Sequence, residues 1–475
     1  MKDSVLGRRE DHFAKKLSIV GIGPGDASLR TQAAVKAIRG AEYVVGYGPY
    51  LKLIEDLLPG KEVYSSGMGK EVERVRAALD LLDRGPVALV SSGDANVYGM
   101  AGLGLEMAEH TAQVEVVPGV TSFTAAACRA GLLFRECMAV ISLSDLLTPW
   151  EEIEGRLRQA ADFGMPVALY NPRSRKRDWQ LLRALSLYED RDILVAKNVG
   201  REGERLFWTK TAALMESDAL REEIDMTTVA ILPGRGCYRG DAAREAGINL
   251  VGIGPGEPES LTVEAQTILS SSEMLLGADR YLEMIADYPG KKVSHAGPCP
   301  ERSYARFQEA TRLVLSGKRA SILTGGDPSI FSAGWRIMDL AADRFAVHIS
   351  PGVSAFSSVA ARAGAPLSGD FALLSRPDDP AAPSLLAAAG FGVVVYNVKG
   401  HEVLPLLQDL DPERAVALAR DVARDGEEMV IMKAEEMMEL RPSGFRFTLL
   451  ISCPKAEIRE GRIIAKRGYD AKYSY

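Results

Sequence analysis

Cysteine and histidine are both scarce in this chain: five of each in 475 residues. The cysteines, Cys128, Cys137, Cys237, Cys299 and Cys453, are widely scattered, with no Cys-x-x-Cys pair. That leaves no signature of a zinc finger, a redox dithiol or an iron–sulfur cluster. An odd, dispersed set of thiols fits a reducing cytoplasm better than a disulfide-stapled secreted domain. His295, His348 and His401 stand isolated, so no metal site is expected. No apolar stretch approaches the roughly 20 residues a membrane-spanning helix needs. Residues 1–16 carry Lys2, Arg8, Arg9, Glu10, Asp11, Lys15 and Lys16 without an apolar core, which reads as an exposed tail rather than a secretory signal. A net charge of -7 gives no electrostatic footprint for nucleic acid.

Glycine, by contrast, is abundant and patterned. Gly21-Ile22-Gly23-Pro24-Gly25 follows the apolar run Leu17 to Val20, and Gly252-Ile253-Gly254-Pro255-Gly256 follows Ile248 to Val251. The register holds onward without a gap: Thr31, Ala34, Gly46, Tyr50 and Ile54 fall opposite Thr262, Ala265, Gly277, Tyr281 and Ile285. After small gaps Gly93-Asp94 meets Gly326-Asp327, Pro118-Gly119-Val120 meets Pro351-Gly352-Val353, and Tyr170-Asn171 meets Tyr396-Asn397. The chain is a tandem duplication, and two halves of about 230 residues suit the usual limit on the growth of one core.

Within the first half, Leu17 to Val20, Tyr43 to Gly46, Val87 to Val90 and Val114 to Val117 read as short strands. Between them Asp26 to Arg39 and Glu71 to Leu82 have helical spacing, so strand and helix alternate as in a parallel sheet. From about Ala139 the runs Val140 to Leu143, Val167 to Tyr170, Ile193 to Ala196 and Thr228 to Leu232 read as a second sheet. The expected architecture is α/β, two tandem modules of two α/β lobes each. The expected boundaries are a tail over 1–16, a first module over 17–240, a glycine-rich linker over 241–247 and a second module over 248–475.

Three loops follow strands and should share one sheet edge, where ligands sit in open α/β sheets. The first, Gly23-Pro24-Gly25, is open and stiff, but Asp26 occupies the sixth position, so the dinucleotide pattern Gly-x-Gly-x-x-Gly fails. A tight turn without ligand is the plain alternative. In the second loop, Ser91 to Met100, Asp94 either caps a helix or meets a ligand. In the third, Pro118 to Phe123, Thr121 or Ser122 caps the helix that follows, binds ligand, or does both.

Together these loops resemble the tetrapyrrole methyltransferases, which use S-adenosyl-L-methionine to methylate macrocycle carbons on the routes to cobalamin and sirohaem. Ile141-Ser-Leu-Ser-Asp-Leu-Leu-Thr-Pro-Trp150, Tyr170-Asn-Pro-Arg-Ser-Arg175 and Asp225-Met-Thr-Thr228 make the first half similar to precorrin-3B C17-methyltransferases. The resemblance implies C17 methylation of a precorrin-3B or cobalt-factor III type macrocycle with ring contraction, and a donor site between the two lobes. It places Gly23, Pro24, Gly25, Gly93, Asp94, Val97, Thr121 and Ser122 at the donor from the first lobe, and Asn171, Asn198 and Ala230 from the second. The family's second loop usually reads Gly-Asp-Pro-Gly, where this chain has Ala95-Asn96 after Gly93-Asp94. Asp94, Tyr98 and Asp145 are candidates for assisting proton transfer, each with an equally good structural reading, so no general base is assigned. The cluster Arg173, Arg175, Lys176 and Arg177 either orients the carboxylates of a corrin precursor or forms a solvated surface.

The second half keeps the three loops, and by the same resemblance Pro255, Asp327, Ile330, Ser354 and Ala355 would meet a donor there. The counterpart of the first half's serine-rich segment is only Leu374-Ser375-Arg376-Pro377. Three readings stay open for it: a methyltransferase for another ring position, a redundant C17 enzyme, or a non-catalytic partner. Because family members work as homodimers, the fused copies are expected to form an intramolecular pseudo-dimer, alone or within a further homo-oligomer.

Overall fold

Leu17, Ile19 and Val20 are apolar, and even Ser18 between them is buried, because the strand they form, β1 (Leu17–Gly21), lies inside a parallel sheet covered on both faces. The computed structural model describes residues 16–174, 177–365 and 367–473. Around β1 lie β2 (Tyr43–Tyr47), β3 (Glu62–Ser66), β4 (Val87–Ser91) and β5 (Val114–Val117), in the order β3-β2-β4-β1-β5. After the short β6 (Leu132–Phe134) comes the second lobe: β7 (Cys137–Ser142), β8 (Val167–Tyr170), β9 (Asp192–Lys197), β10 (Arg205–Lys210) and β11 (Thr228–Leu232), ordered β10-β9-β11-β8-β7. The edge strand β3 carries no clear apolar run, which is why the sequence does not announce it, and Val63 and Tyr64 are exposed; β10, at the edge of the second lobe, has only the three-residue run Leu206-Phe207-Trp208. The predicted helix over Asp26 to Arg39 is two pieces, a single 3-10 turn at Ala27–Leu29 and an α-helix at Gln32–Gly40. Arg30 ends the first piece, and Thr31 caps the second by accepting from the Ala34 N–H at 3.1 Å.

The stretch expected to be a linker is ordered backbone. β12 (Cys237–Arg239) pairs with β6, and β13 (Ala242–Ala243) adds a parallel edge to the second half's first sheet. That sheet contains β14 (Ile248–Gly252), β15 (Met274–Gly277), β16 (Lys291–Ser294), β17 (Ala320–Thr324) and β18 (Val347–Ser350). Its order, β16-β15-β17-β14-β18, repeats that of the first half. After β19 (Gly364–Ala365), the last lobe has β20 (Phe371–Ser375), β21 (Gly392–Val398), β22 (Ala415–Arg420), β23 (Glu428–Lys433) and β24 (Phe447–Ile451), ordered β23-β22-β24-β21-β20. A terminal hairpin, β25 (Ala456–Arg459) and β26 (Arg462–Ala465), closes the chain.

The two second lobes are not separate sheets. β7 pairs antiparallel with β20, with Ala139 opposite Ala372, and ten strands run continuously through both halves. Thr31 bridges Thr262, Phe123 stacks on Phe356 at 6.4 Å, and the Gln32 N–H donates to the Leu261 carbonyl at 3.1 Å while its counterpart, the Val263 N–H, donates to the Arg30 carbonyl at 3.0 Å. Residues at repeat-equivalent positions meet each other, the mark of an isologous interface, here made within one chain. The tails also cross over. Ile464 is buried in the core of the first half's first sheet, and Arg462 donates to the Thr111 and Val114 carbonyls at 3.0 and 2.7 Å. All five cysteines are free thiols. Among the described residues no helix is long and apolar enough to cross a membrane, and no cluster of three His, Cys, Asp or Glu side chains could hold a metal.

Candidate functional site

The three glycine loops meet backbone to backbone at the carboxyl ends of β1, β4 and β5. Gly23 and Gly93 exchange amide bonds at 3.1 and 2.8 Å, and Gly254 and Gly326 repeat this at 3.2 and 2.7 Å. Gly119 has no room for a side chain: a Cβ there would press on the Gly93 carbonyl oxygen and sit 2.6 Å from that of Gly21. A Cβ on Gly25 would sit 2.6 Å from the Gly200 carbonyl oxygen, because the second lobe touches the first loop there. Next to that contact Arg201 reaches across, donating from Nε to the Pro24 carbonyl at 2.7 Å and from Nη2 to Ser92 Oγ at 2.6 Å. Arg424 repeats the first of these bonds on Pro255 at 2.7 Å. The lobes of each half are thus clamped over their first loop by an arginine that the sequence pattern gave no reason to single out.

The third loop is anchored by a phenol. The Tyr170 hydroxyl lies 2.8 Å from Thr121 Oγ1 and accepts from the Phe123 N–H at 3.1 Å, so it does the capping expected of Thr121 itself. Burial pushes this phenol up to about 12, so it stays protonated at neutral pH. Tyr396 accepts likewise from the Phe356 N–H at 2.8 Å, while Ser354 Oγ at the matching cap is buried without a partner among the described residues.

Asp94 is 1% exposed and faces inward, with Oδ1 accepting from the Asn96 N–H and Nδ2, each at 3.0 Å. Burial raises its pKa despite those bonds. Asp327 accepts from the Ser329 N–H at 2.8 Å and the Gly352 N–H at 3.1 Å, and burial raises its carboxyl to about 6. Both aspartates shape their loops, and what faces the gap between the loops is backbone. Asn96 thus occupies, through its side chain, a place the family pattern leaves to proline or glycine. Val97 and Ile330 are buried in one core with Phe123 and Phe356. Ala230 lies mid-strand in β11, its side chain in the core on the far face, so the structure does not bring that side chain to the donor gap.

A cleft of about 220 Å³ opens beside the second loop at the ends of β7 and β8. From the first half it is lined by Tyr98, Ser142, Ser144 and Asn171, the segment Leu146 to Pro149, Glu152 and Arg156. Tyr98 and Asn171, with Asn198 beyond them, all hold φ at 51°, a left-handed backbone that costs energy outside glycine and gathers where function fixes the chain. Asn171 donates to Ser142 Oγ at 2.9 Å. Of the three candidates for proton chemistry only Tyr98 lines the cleft. Its hydroxyl lies 2.7 Å from Asp370 Oδ1 and 3.1 Å from the Val140 carbonyl. Burial first, and the charge of Asp370 next, raise its pKa well above the usual phenol range, so Tyr98 acts as a hydrogen-bond donor and not as a base. Asp145 is occupied by Gln180 at 3.0 Å and does not line the cleft.

Two members of the basic cluster, Arg173 and Arg177, are engaged by backbone carbonyls. Ser174 and Arg177 close a tight turn on each other, which sends Arg173 to the Arg221 carbonyl at 2.6 Å and Arg177 to the Leu143 carbonyl at 3.2 Å. Neither lines the cleft, and Arg175 and Lys176 lie outside the described residues. The cations that do line it are Arg156 and, from the second half, Lys455, Lys466 and Arg467. The visible sequence signal for the latter is the basic pair Lys466-Arg467 close behind Cys453-Pro454-Lys455.

Comparison with known proteins agrees with this geometry. A pattern for the tetrapyrrole (corrin/porphyrin) methylases matches residues 16–214 and again 247–438. A probable cobalt-factor III C(17)-methyltransferase of Salmonella typhimurium is 40% identical over 231 residues, 47% of this chain and 94% of that protein, in the first half. A precorrin-3B C(17)-methyltransferase of a Sinorhizobium species is 36% identical over 228 residues, 46% of this chain and 87% of that protein. The crystal structure of the methyltransferase CobJ, 32% identical, covers 48% of this chain and 97% of its own at a TM-score of 0.43. With the pattern matched over both copies and three loops closed on one another in each, the chain belongs to the tetrapyrrole (corrin/porphyrin) methylases, as two modules in one polypeptide.

Proposed function

We propose that the first half methylates C17 of a cobalt-factor III or precorrin-3B type macrocycle, with ring contraction, using S-adenosyl-L-methionine. The observation that carries this reading is the 40% identity to a protein named for that reaction over nearly its whole length. The residues present fit such a donor. Gly93 faces the gap between the second and third loops, where a Cβ would meet nothing closer than Ser122 Oγ at 3.7 Å. The backbone of Gly23 to Gly25, Gly93 to Tyr98 and Thr121 to Ser122 would hold it, closed over by Arg201 and Asn198 from the second lobe. When bound, the donor supplies an electrophilic methyl group on a sulfonium.

What the chain then does is position and exclude water. The macrocycle occupies the cleft beside Tyr98, Ser142 and Asn171, with the carbon to be methylated facing the donor gap. Tyr98, kept protonated, gives its one O–H to Asp370, so it fixes the cleft wall against the second half and is unsuited to removing a proton from the substrate. Incubating the purified chain with donor and either macrocycle, then reading product mass and absorption, tests the proposal. One added methyl group and a contracted ring are expected, and unchanged macrocycle in both cases overturns it.

A further inference from the structure

The wall of the cleft opposite Ser142 is built by the second half. Gly369, Asp370, Cys453 to Lys455 and Lys466 to Tyr469 line it, so the cleft exists only when both halves are present. This wall is basic. Arg156 and Asp370 neutralise each other at 2.9 Å, and Lys466 is paired with Glu457 at 3.2 Å, both partly exposed. Arg467 lies with its guanidinium 5.4 Å from the Tyr98 ring centroid, and among the described residues neither it nor Lys455 has a carboxylate partner. Two cations without partners and a third weakly held therefore face a cavity with one exposed acid, Glu152.

The equivalent place in the other half lacks these features. Five residues after the glycine of the second loop stands Tyr98 in the first copy and Phe331 in the second, both left-handed, at φ 51° and 49°. Five residues before the serine that pairs with the Tyr-Asn strand stands Cys137 in the first copy and Asp370 in the second. The repeat has diverged so that phenol and carboxylate meet on one side of the pseudo-two-fold axis, and a phenyl ring and a thiol are their counterparts on the other.

We propose that the second half serves the first as its substrate-binding wall, with Lys455, Lys466 and Arg467 taking peripheral carboxylates of the macrocycle. The inference rests on the reading that the substrate is a polycarboxylated tetrapyrrole. It gives the second module a definite duty: it supplies charge and shape to a single active cleft made in cis. Guanidinium and ammonium groups bind carboxylates by charge-assisted hydrogen bonds, and Arg467 adds a planar fork held over an aromatic ring.

The test uses the full chain and two probes, cobalt-factor III for turnover and uroporphyrin, an unreactive polycarboxylate porphyrin, for binding by fluorescence titration. Arg467→Met should weaken uroporphyrin binding and raise KM about tenfold, and the triple variant with Lys455→Met and Lys466→Met about a hundredfold. Thermal unfolding and donor affinity should stay at the parent values, and the charge control Lys318→Met, on the exposed far side of the second half, should change nothing. A triple variant that binds uroporphyrin within about twofold of the parent overturns the inference, as does a parent chain that binds no polycarboxylate macrocycle. A parent that binds uroporphyrin through these residues yet leaves cobalt-factor III unmethylated upholds this inference while the C17 reading fails.

Discussion

Replacing Asp370 by alanine should destabilise the whole molecule far more than an ordinary surface change. The side chain is 5% exposed, and its two oxygens receive three donors: the Tyr98 hydroxyl at 2.7 Å, the Ser142 N–H at 2.9 Å and Arg156 Nη1 at 2.9 Å. Arg156 is itself 8% exposed, its Nε has no partner, and its second carboxylate, Glu152 at 3.1 Å, is half in solvent. Breaking a buried ion pair by deleting one member costs about 3–5 kcal/mol, because the remaining charge is left in a poor solvent. Glu152 offsets part of that loss, while the stranded Ser142 N–H adds about 1 kcal/mol, so about 3–4 kcal/mol is expected. Asp370→Asn keeps an acceptor for Tyr98 and Ser142 and loses mainly the charge, which lowers the cost to about 2 kcal/mol. Cys137→Ala at the repeat-equivalent position, with no such network, should cost about 1 kcal/mol. Urea unfolding of the full chain, followed by tryptophan fluorescence and circular dichroism together, measures all three. A loss below about 1 kcal/mol for Asp370→Ala, or equal losses for the alanine and asparagine variants, would refute the idea that this carboxylate compensates a buried guanidinium.

Three further outcomes follow from the geometry. Gly119→Ala places a methyl group 2.6 Å from the Gly21 carbonyl oxygen, where only backbone could yield, so calorimetry should show donor binding abolished and unfolding should show about 1–3 kcal/mol lost. Ile464→Ala, though in the last strand, should cost about 2–5 kcal/mol and expose the first half's first lobe to protease, since Ile464 packs in that lobe's core; cleavage confined to the second half would contradict it. For Asp327, a folded pKa of about 6 lies above the ordinary carboxyl value, so the native state holds its proton more tightly than the unfolded chain. Its contribution to stability is therefore present at low pH and lost as pH rises through about 6, and the cost of Asp327→Asn should shrink between pH 4.5 and 7; a cost growing over that window reverses the sign and the argument.

The first lobe was legible because its physics is local. A parallel strand covered on both faces is apolar at most positions, and loops that press backbone on backbone need glycine at the contact, so β1 and β4, β5 with its one exposed residue Glu115, and their loops show in the sequence. The exposed edge β3 carries no such constraint and does not show, and the half-exposed β10 offers only Leu206-Phe207-Trp208 between charged ends. The loops' aspartates illustrate a different difficulty. Gly-Asp reads as a ligand contact or a turn-former, and only the folded loops show Asp94 and Asp327 turned inward on the backbone of their own loops. The basic run at 173–177 reads as a substrate clamp or a solvated surface, and only the folded turn shows Arg173 and Arg177 bonded to backbone carbonyls.

By itself the sequence determined the duplication, the α/β lobes, the three loops and the family, since each depends on contacts between near neighbours or on a pattern repeated in register. Only the tertiary structure decided that the second sheets join into one, that Tyr98 lies against Asp370 across 272 residues of chain, and that the cations facing the cleft come from the far terminus. Those facts arise from a pseudo-two-fold packing of one half on the other, and a symmetric interface is encoded in complementary surfaces whose partners are distant in the chain and follow no period along it.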